Sequence, residues 1–165
     1  METSNQKINV LFVCFGNTCR SPMAEAILKD FAEKRNVGEK FHIDSAAISN
    51  WQVGCDINQY VDEILNQIGI KNFTHKARQI SYKDFTKFDY IFGMDYFHIG
   101  ELSEAAETLK SSSKVVLLGN YNPNQNEKVI HDPICGDKEV FEKCYEQISA
   151  SCEVFLNELL NSQSQ

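Results

Sequence analysis

The sequence predicts an open α/β fold, in which a single sheet of about four parallel strands carries helices on both faces. Two observations lead to this prediction. Short apolar runs alternate along the chain with segments of helical periodicity, as in strands joined by right-handed crossover helices. The first run, residues 7–13, is apolar almost throughout, which is typical of a strand covered on both faces of a parallel sheet.

The first helix is predicted after a short loop that follows this strand. Ser21 is expected to cap the helix and Pro22 to occupy its first turn, where proline is favoured. Gly38 is expected near its end. The apolar residues of the segment recur at helical spacing, and they are Met23, Ala26, Ile27, Leu28, Phe31 and Ala32.

Three more strands and one more helix are predicted in the middle of the chain. Residues 41–48 alternate well enough for a second strand, and a helix begins at about Asn58 and ends before Gly69. Residues 88–94, rich in aromatic and branched side chains, form the third strand, and residues 114–120 form the fourth.

The C-terminal half combines two helical segments with one long irregular segment. Residues 95–109 have a helical composition with weak periodicity, whereas residues 138–160 repeat apolar side chains at three- and four-residue steps. Residues 121–137 lie between strand and helix without a clear pattern, and loops of this length are usually functional or mobile.

The length of 165 residues predicts one domain over residues 1–165, with a core at about 7–160 and a frayed tail at 161–165. No apolar run is long enough to span a membrane. Residues 8–15 are predicted as a strand rather than a signal peptide, because little positive charge precedes them and no cleavage site follows.

Charge and cysteine usage exclude several classes of function. A net charge of −7 argues against binding to nucleic acid or anionic membranes. The six cysteines are spread along a chain that can fold without disulfides, which favours free thiols in a reducing cytoplasm. A zinc site is not expected, because the cysteine spacings lack a C-x2-C pair and the histidines do not cluster.

Residues 14–21 have the composition of an anion-binding loop at the carboxyl end of the first strand. Successive backbone N–H groups can point inward there, since Gly16 allows close approach and Asn17 tolerates a left-handed conformation. Arg20 can reach back over the same cavity and hold two oxygens with its planar guanidinium. These donors and the helix dipole favour the thiolate of Cys14. The predicted fold therefore carries a phosphate-binding loop after its first strand.

The order of nucleophile, five residues, arginine and serine is the C-x5-R-S signature of cysteine-dependent phosphatases. Its position directly after the first strand resembles the low-molecular-weight protein tyrosine phosphatase family. Four further segments resemble that family in the same order along the chain: DSAAISNWQVG, HKARQI, FDYIFGMD and HDP. The resemblance covers nearly the whole domain, from about Asn9 to the last helix.

The resemblance implies a reaction in two steps. Cys14 attacks phosphorus, Arg20 stabilises the phosphoryl oxygens, and Asp132 protonates the leaving phenol and later activates the water that hydrolyses the phosphocysteine. Ser21 hydrogen-bonds the sulfur and helps it leave. The phosphate-binding residues implied are Phe15, Gly16, Asn17, Thr18, Cys19 and Arg20.

The resemblance also implies residues that support this machinery. Asn17, Ser45 and His75 form a buried polar network that holds the loop. Cys19 can trap an oxidised Cys14 as a reversible disulfide, which is a hypothesis of redox protection.

The substrate pocket departs from the family pattern. Phe15, Trp51 and Ile134 are expected to line it, but the family usually carries aromatic residues where Ile134 and Cys135 follow the Asp-Pro pair. The rim GCDINQY supplies no arginine. We therefore predict cleavage of small aryl phosphates and weakened binding of acidic phosphotyrosine peptides.

Two other functions are compatible with an anion-binding loop of this kind. A thiol-dependent arsenate reductase on the same fold needs further cysteines in the middle loop, and residues 76–100 contain none. A phosphate- or phosphotyrosine-binding module without turnover has no need for both Cys14 and Asp132. We expect a metal-independent enzyme without a cofactor that acts on phosphotyrosine-containing proteins, as a monomer or weak dimer in the cytoplasm.

Overall fold

A computed structural model describes residues 5–165. Its four strands are β1 (Ile8–Cys14), β2 (Phe41–Ala47), β3 (Tyr90–Gly93) and β4 (Lys114–Leu117). They form one all-parallel sheet in the order β2-β1-β3-β4, which confirms the predicted open α/β class. Residues 8–14 of the apolar run that the sequence predicted as a strand form β1, whereas residues 1–4 lie outside the described residues. No helix within the described part of the chain is both long and apolar enough to cross a membrane.

Helices cover both faces of this sheet. They are α1 (Arg20–Lys34), α2 (Gln59–Gln67), α3 (Asp84–Lys87), α4 (Tyr96–Thr108) and α5 (Lys138–Gln163). The side chains of β1 alternate between two cores because successive residues of a strand point to opposite faces. Phe12 belongs to the core that α1, α2 and α5 cover, and Leu11 to the smaller core that α3 and α4 cover.

The strand register aligns the functional segments at one edge of the sheet. Cys14 pairs with Ala47, while Val13 pairs with Gly93 and Gly93 with Leu117. The carboxyl ends of all four strands therefore meet at the edge where the loop after β1 begins, which is where open sheets bind ligands.

The start and end of α1 differ from the sequence predictions. The helix begins at Arg20, so Ser21 lies inside it and is not the cap. Its hydroxyl is instead directed toward the sulfur of Cys14. The helix ends at Lys34, four residues before Gly38. Asn36 adopts the left-handed conformation (φ 56°) just after the helix, and Gly38 begins a short 3-10 turn.

Three other boundaries were tested by the structure. The helix α2 begins at Gln59, next to the predicted start at about Asn58, and Asn58 caps it by accepting a hydrogen bond from the N–H of Tyr60. The short helix α3 was not predicted, because four residues do not establish a periodicity. The last helix continues to Gln163, so most of the tail predicted as frayed is helical.

The long segment before α5 is irregular but tied to its surroundings by hydrogen bonds. The side-chain amide of Gln147 in α5 donates to the carbonyls of Glu127 and Val129. The N–H of Ile130 donates to the carbonyl of Met94 at 3.0 Å. These bonds carry residues 131–134 to the edge of the sheet beside Cys14, which positions Asp132.

Candidate active site

Cys14 ends β1 and lines a cavity of about 300 Å³. Its side chain is buried, and its sulfur accepts a hydrogen bond from the backbone N–H of Asn17 at 3.2 Å. The hydroxyl of Ser21 lies 2.9 Å from the same sulfur. Asn17 adopts the left-handed conformation, with φ at 59°, that the sequence predicted for this loop.

The loop is anchored through its outward-facing carbonyls. The N–H of Ile48 donates to the carbonyl of Cys14, and the N–H and hydroxyl of Ser49 donate to that of Phe15. The carbonyl of Thr18 accepts from the N–H of Asn58. With its carbonyls bound on the outside, the loop can present N–H groups to the cavity, as an anion nest requires.

Asn17 is the centre of a buried polar network. Its amide nitrogen donates to the hydroxyls of Ser21 (2.8 Å) and Ser45 (3.0 Å). Its amide oxygen lies 2.7 Å from His75 Nε2 and accepts the N–H of Arg78 at 3.0 Å. The structure thus brings together Asn17, Ser45 and His75 as predicted, and adds the main chain of Arg78.

Glu25 extends this network and was not predicted from the sequence. Its carboxylate accepts from the hydroxyl of Ser45 and from Lys29, both at 2.8 Å, and lies 3.5 Å from His75 Nδ1. Glu25, Asp44 and His75 place three ligand atoms within 4.8 Å of one another. Because Lys29 and Arg78 already neutralise the two carboxylates, these contacts favour ion pairs rather than a metal ion.

Arg20 is held from three sides. Its guanidinium donates to the carbonyl of Ile130 at 2.9 Å and to the carboxylate of Asp95 at 3.3 Å. A second nitrogen lies 3.5 Å from the carboxylate of Asp132. The side chain is 3% exposed, so these contacts restrict it to the cavity. Arg20 and Asp132 therefore face the same space as Cys14, although they are 112 positions apart in the sequence.

The cavity is lined by both apolar and polar side chains, and two of the apolar ones are exposed. It is lined by Cys14, Phe15, Gly16, Asn17, Thr18, Cys19, Arg20, Ser49, Trp51, Gln52, Asp132 and Ile134. Phe15 and Trp51 meet edge to face with ring centroids 5.2 Å apart, while Trp51 is 81% and Ile134 48% exposed. An exposed aromatic ring and an exposed aliphatic side chain thus flank the entrance, as the sequence suggested.

Cys19 lines the same cavity and is almost fully buried. Burial raises the pKa of its thiol to about 12, with smaller contributions from Thr18, which lowers it, and from Cys14. The thiol of Cys19 is therefore protonated at neutral pH. All six cysteines lie within the described residues and are free thiols.

Asp95 and His98 are site residues that sequence reasoning missed. Asp95 follows β3 at the same edge as Cys14, and this position is the signal that could have identified it. It caps α4 by accepting the N–H of His98 at 2.9 Å while it pairs with Arg20. Burial and the charge of Arg20 lower the pKa of His98 to about 4, so its neutral ring accepts the N–H of Met94.

Gln52 is another residue that the sequence did not single out. It accepts a hydrogen bond from the hydroxyl of Thr18 at 2.9 Å and lines the cavity beside Trp51. A side chain on Gly16 would collide with its amide oxygen. Gly16 therefore leaves room for this wall of the pocket, in addition to the close ligand approach expected of it.

Comparison with known proteins gives a consistent result. The sequence model of a family described as low molecular weight phosphotyrosine protein phosphatase matches residues 9–165. A relative of that name from Sus scrofa is 41% identical over 152 residues, covering 92% of this chain and 95% of the relative. One from Saccharomyces cerevisiae is 40% identical over 163 residues, covering 97% and 100%. A crystal structure named DARP, drosophila arginine phosphatase, superimposes with a TM-score of 0.86 at 43% identity, covering 91% of this chain and 96% of that one.

Proposed function

The chain belongs to the low molecular weight phosphotyrosine protein phosphatase family and is a protein tyrosine phosphatase, and on this premise we propose how its residues carry out the reaction. The thiolate of Cys14 attacks the phosphorus of the substrate in line with the leaving oxygen. The loop N–H groups and the guanidinium of Arg20 bind the phosphoryl oxygens, on which negative charge accumulates. Asp132 donates a proton to the departing phenol, and a phosphocysteine forms.

The second step returns the enzyme to its starting state. Asp132, now a carboxylate, accepts a proton from water as the water attacks phosphorus. The bond between phosphorus and the Cys14 sulfur breaks, and inorganic phosphate leaves. Ser21 stabilises the departing sulfur with its hydroxyl, which lies 2.9 Å away.

One observation carries this proposal. Cys14, Arg20 and Asp132 line a single cavity, in which Cys14 is buried while the side chain of Asp132 is 44% exposed. The nucleophile and the proton donor can therefore lie on opposite sides of a bound phosphoryl group, as in-line displacement requires. Trp51 and Ile134 at the entrance provide apolar surface for an aryl group.

Hydrolysis of p-nitrophenyl phosphate in the presence of EDTA tests the reaction. We expect metal-independent turnover in the wild type and none above background in Cys14→Ser, with a phosphocysteine detected after acid quench. Cys55→Ser is the matched control, because Cys55 is an exposed thiol outside the cavity lining. Full activity of folded Cys14→Ser would contradict the assignment of the nucleophile.

A second substrate class is suggested by the similarity to the structure named an arginine phosphatase. A phosphoarginine presents a cationic guanidinium beside the phosphoryl group, so it favours hydrogen-bond acceptors near the pocket mouth. Among the residues that line the cavity, Arg20 is the one with a cationic side chain, while Ser49, Gln52 and Asp132 offer oxygen atoms. We propose that the chain also accepts phosphoarginine.

Two peptides of one sequence, one carrying phosphotyrosine and the other phosphoarginine, distinguish these substrates. Turnover of both at comparable kcat/KM supports the dual proposal. A phosphoarginine rate equal to that of Cys14→Ser would restrict the enzyme to phosphotyrosine. Phosphate release is the common readout, so leaving-group absorbance does not bias the comparison.

We further propose that the enzyme acts as a monomer or weak dimer in a reducing, cytoplasmic compartment. The supporting observation is that all six cysteines are free thiols, two of which, Cys55 and Cys135, are exposed. Sedimentation with and without a reducing agent tests this proposal. A stable dimer under reducing conditions would contradict it.

A further inference from the structure

The side chain of Asn17 is buried completely, and each of its two polar atoms makes two hydrogen bonds. The N–H of Arg78 can only donate, so it identifies the atom it contacts as the amide oxygen. The left-handed backbone of Asn17 directs its own N–H to the sulfur of Cys14. The shape of the anion loop therefore depends on what holds the partners of Asn17.

The guanidinium of Arg78 joins two carboxylates on different elements. It donates two parallel hydrogen bonds to Asp84 at the start of α3, both at 3.0 Å. It also contacts one carboxylate oxygen of Asp44 in β2, which lies 3.1 Å from the Nε of Arg78 and 3.0 Å from one of its terminal nitrogens. Although burial alone lowers the pKa of Arg78, its hydrogen bonds to Asp84 and the charge of Asp44 raise it above the ordinary value.

Both carboxylates are connected to partners of Asn17. Asp84 holds the side chain of Arg78, whose backbone N–H binds the Asn17 amide oxygen, and Asp44 is connected through Ser45. The second oxygen of Asp44 accepts the N–H of Ser45 at 2.8 Å, and the Ser45 hydroxyl contacts the Asn17 amide. The segment between Arg78 and Asp84 is pinned at its start, where the carbonyl of Arg78 accepts the N–H of Ala47 at 2.7 Å. One guanidinium thus couples two of the groups that hold Asn17.

We propose that Arg78 is a positioning residue for the phosphatase reaction, acting through Asn17 to keep the N–H groups of the anion loop directed at Cys14 and the phosphoryl group. The proposal rests on the proposed function of that loop. A planar fork that binds two carboxylates at once cannot be replaced by the single ammonium of lysine. The side chain of Asp84 is 8% exposed and that of Arg78 34%, so the carboxylate is shielded from water while the guanidinium is partly buried.

Arg78→Met and Lys76→Met form a matched pair of variants. Lys76 lies on the same segment, but its side chain is 67% exposed and pairs at 2.6 Å with Asp56, which is not one of the partners of Asn17. Each variant removes one positive charge; Arg78→Met loses two ion pairs and Lys76→Met loses one. Arg78→Lys is the conservative variant, since it keeps the charge but loses the planar fork that makes two parallel hydrogen bonds to Asp84.

The readout compares alkylation of Cys14 by iodoacetate, an anion, with alkylation by neutral iodoacetamide. Mass spectrometry of the Cys14 peptide separates this reaction from alkylation of the exposed Cys55 and Cys135. The rate with iodoacetate divided by the rate with iodoacetamide measures how well the loop binds an anion. A general loss of stability would change both rates and leave this ratio unaffected. We expect it to fall about 10-fold in Arg78→Met, as for the loss of one hydrogen bond to a charged group, less in Arg78→Lys, and not at all in Lys76→Met.

Turnover provides a second readout. We expect kcat for p-nitrophenyl phosphate to fall roughly 10- to 100-fold in Arg78→Met, the loss that a small displacement of catalytic groups produces. An unchanged alkylation ratio in a folded Arg78 variant, or an equal fall in Lys76→Met, overturns the proposal. If Arg78→Met does not fold, Arg78→Lys carries the same test. Should the wild type hydrolyse no phosphate ester, the proposed function fails while the alkylation ratio still tests Arg78.

Discussion

The hydroxyl of Ser21 lies 2.9 Å from the sulfur of Cys14 and 2.8 Å from the amide nitrogen of Asn17. The amide nitrogen can only donate, so the oxygen of Ser21 accepts that bond and its own proton is available to the sulfur. The carbonyl of Ala46 also lies within reach of that proton, at 3.5 Å, but the sulfur of Cys14 is the nearer acceptor.

Replacing Ser21 with alanine should slow the release of the Cys14 sulfur from phosphorus. The loss of one hydrogen bond to a charged group predicts a fall in kcat of about 10- to 100-fold. Because the second step becomes limiting, rapid-mixing kinetics with p-nitrophenyl phosphate should show a burst of p-nitrophenol. Ser151→Ala is the control, since that buried hydroxyl bonds only to its own helix at Gln147. A variant without burst or loss of kcat would remove Ser21 from this role.

Removal of the Asp132 carboxylate should affect substrates according to their leaving group. With phenyl phosphate, Asp132→Ala should lose roughly 10²- to 10⁴-fold in kcat, because phenoxide needs a proton to depart. With p-nitrophenyl phosphate, whose leaving group is more acidic, the loss should be smaller. Asp56→Asn, an exposed carboxylate outside the cavity lining, should leave both rates unchanged. Equal losses on the two substrates would argue against proton donation by Asp132.

Trp51 and Ile134 should control the binding of the aryl group rather than the chemistry. Trp51→Ala should raise KM for p-nitrophenyl phosphate about 2- to 10-fold, the range for losing one aromatic contact, with kcat little changed. Ile134→Tyr should lower KM by restoring a ring at the entrance. Neither change should alter KM for an alkyl phosphate, which has no ring to bind. We also expect neutral phosphotyrosine peptides to bind better than acidic ones.

Cys19 should protect Cys14 from irreversible oxidation, and this protection should depend on pH. Because burial raises the pKa of Cys19 to about 12, its thiolate fraction rises about tenfold per pH unit near neutrality. Enzyme inactivated by peroxide should therefore recover more activity with dithiothreitol when oxidised at pH 8 than at pH 6.5. Cys19→Ser should recover little at either pH. Recovery of Cys19→Ser equal to that of the wild type would exclude the protective disulfide.

His98 should make the protein less stable in mild acid. Burial and the neighbouring Arg20 lower its folded-state pKa to about 4, although Asp95 and Asp132 act in the opposite direction. The unfolded chain, with an ordinary value near 6.5, binds more protons between these limits, so stability falls as the pH drops from about 6.5 to 4. The expected loss at pH 4 is on the order of 3 kcal/mol.

Urea unfolding of wild type and His98→Asn at pH 7, 6 and 5 measures this contribution. Other groups also titrate over this range, so the difference between the two proteins is the informative quantity. It should shrink, or change sign in favour of His98→Asn, as the pH is lowered. A difference that is independent of pH would show that His98 is not held neutral.

Local sequence patterns were sufficient for several features of the fold and site. The apolar run before Cys14 specified a buried strand, and the apolar periodicity placed the start of the second helix at about Asn58, one residue before its first residue in the structure. The spacing from Cys14 to Arg20 and the left-handed preference of Asn17 identified the anion loop, since both act within a few residues of chain. These predictions held because they depend on interactions between near neighbours in the sequence.

Other features depended on the tertiary structure, because contacts between distant segments decided them. Ser21 does not cap α1 as expected, because its hydroxyl contacts the buried sulfur of Cys14 instead. The parallel register brings the carboxyl ends of the strands to one edge of the sheet. Only there can the N–H of Arg78 reach Asn17 and the carboxylate of Asp95 reach Arg20. The sequence by itself thus determined the strand that ends at Cys14 and the left-handed turn at Asn17 in the loop after it. Only the packing of segments far apart in the chain decided which side chains hold that loop in place.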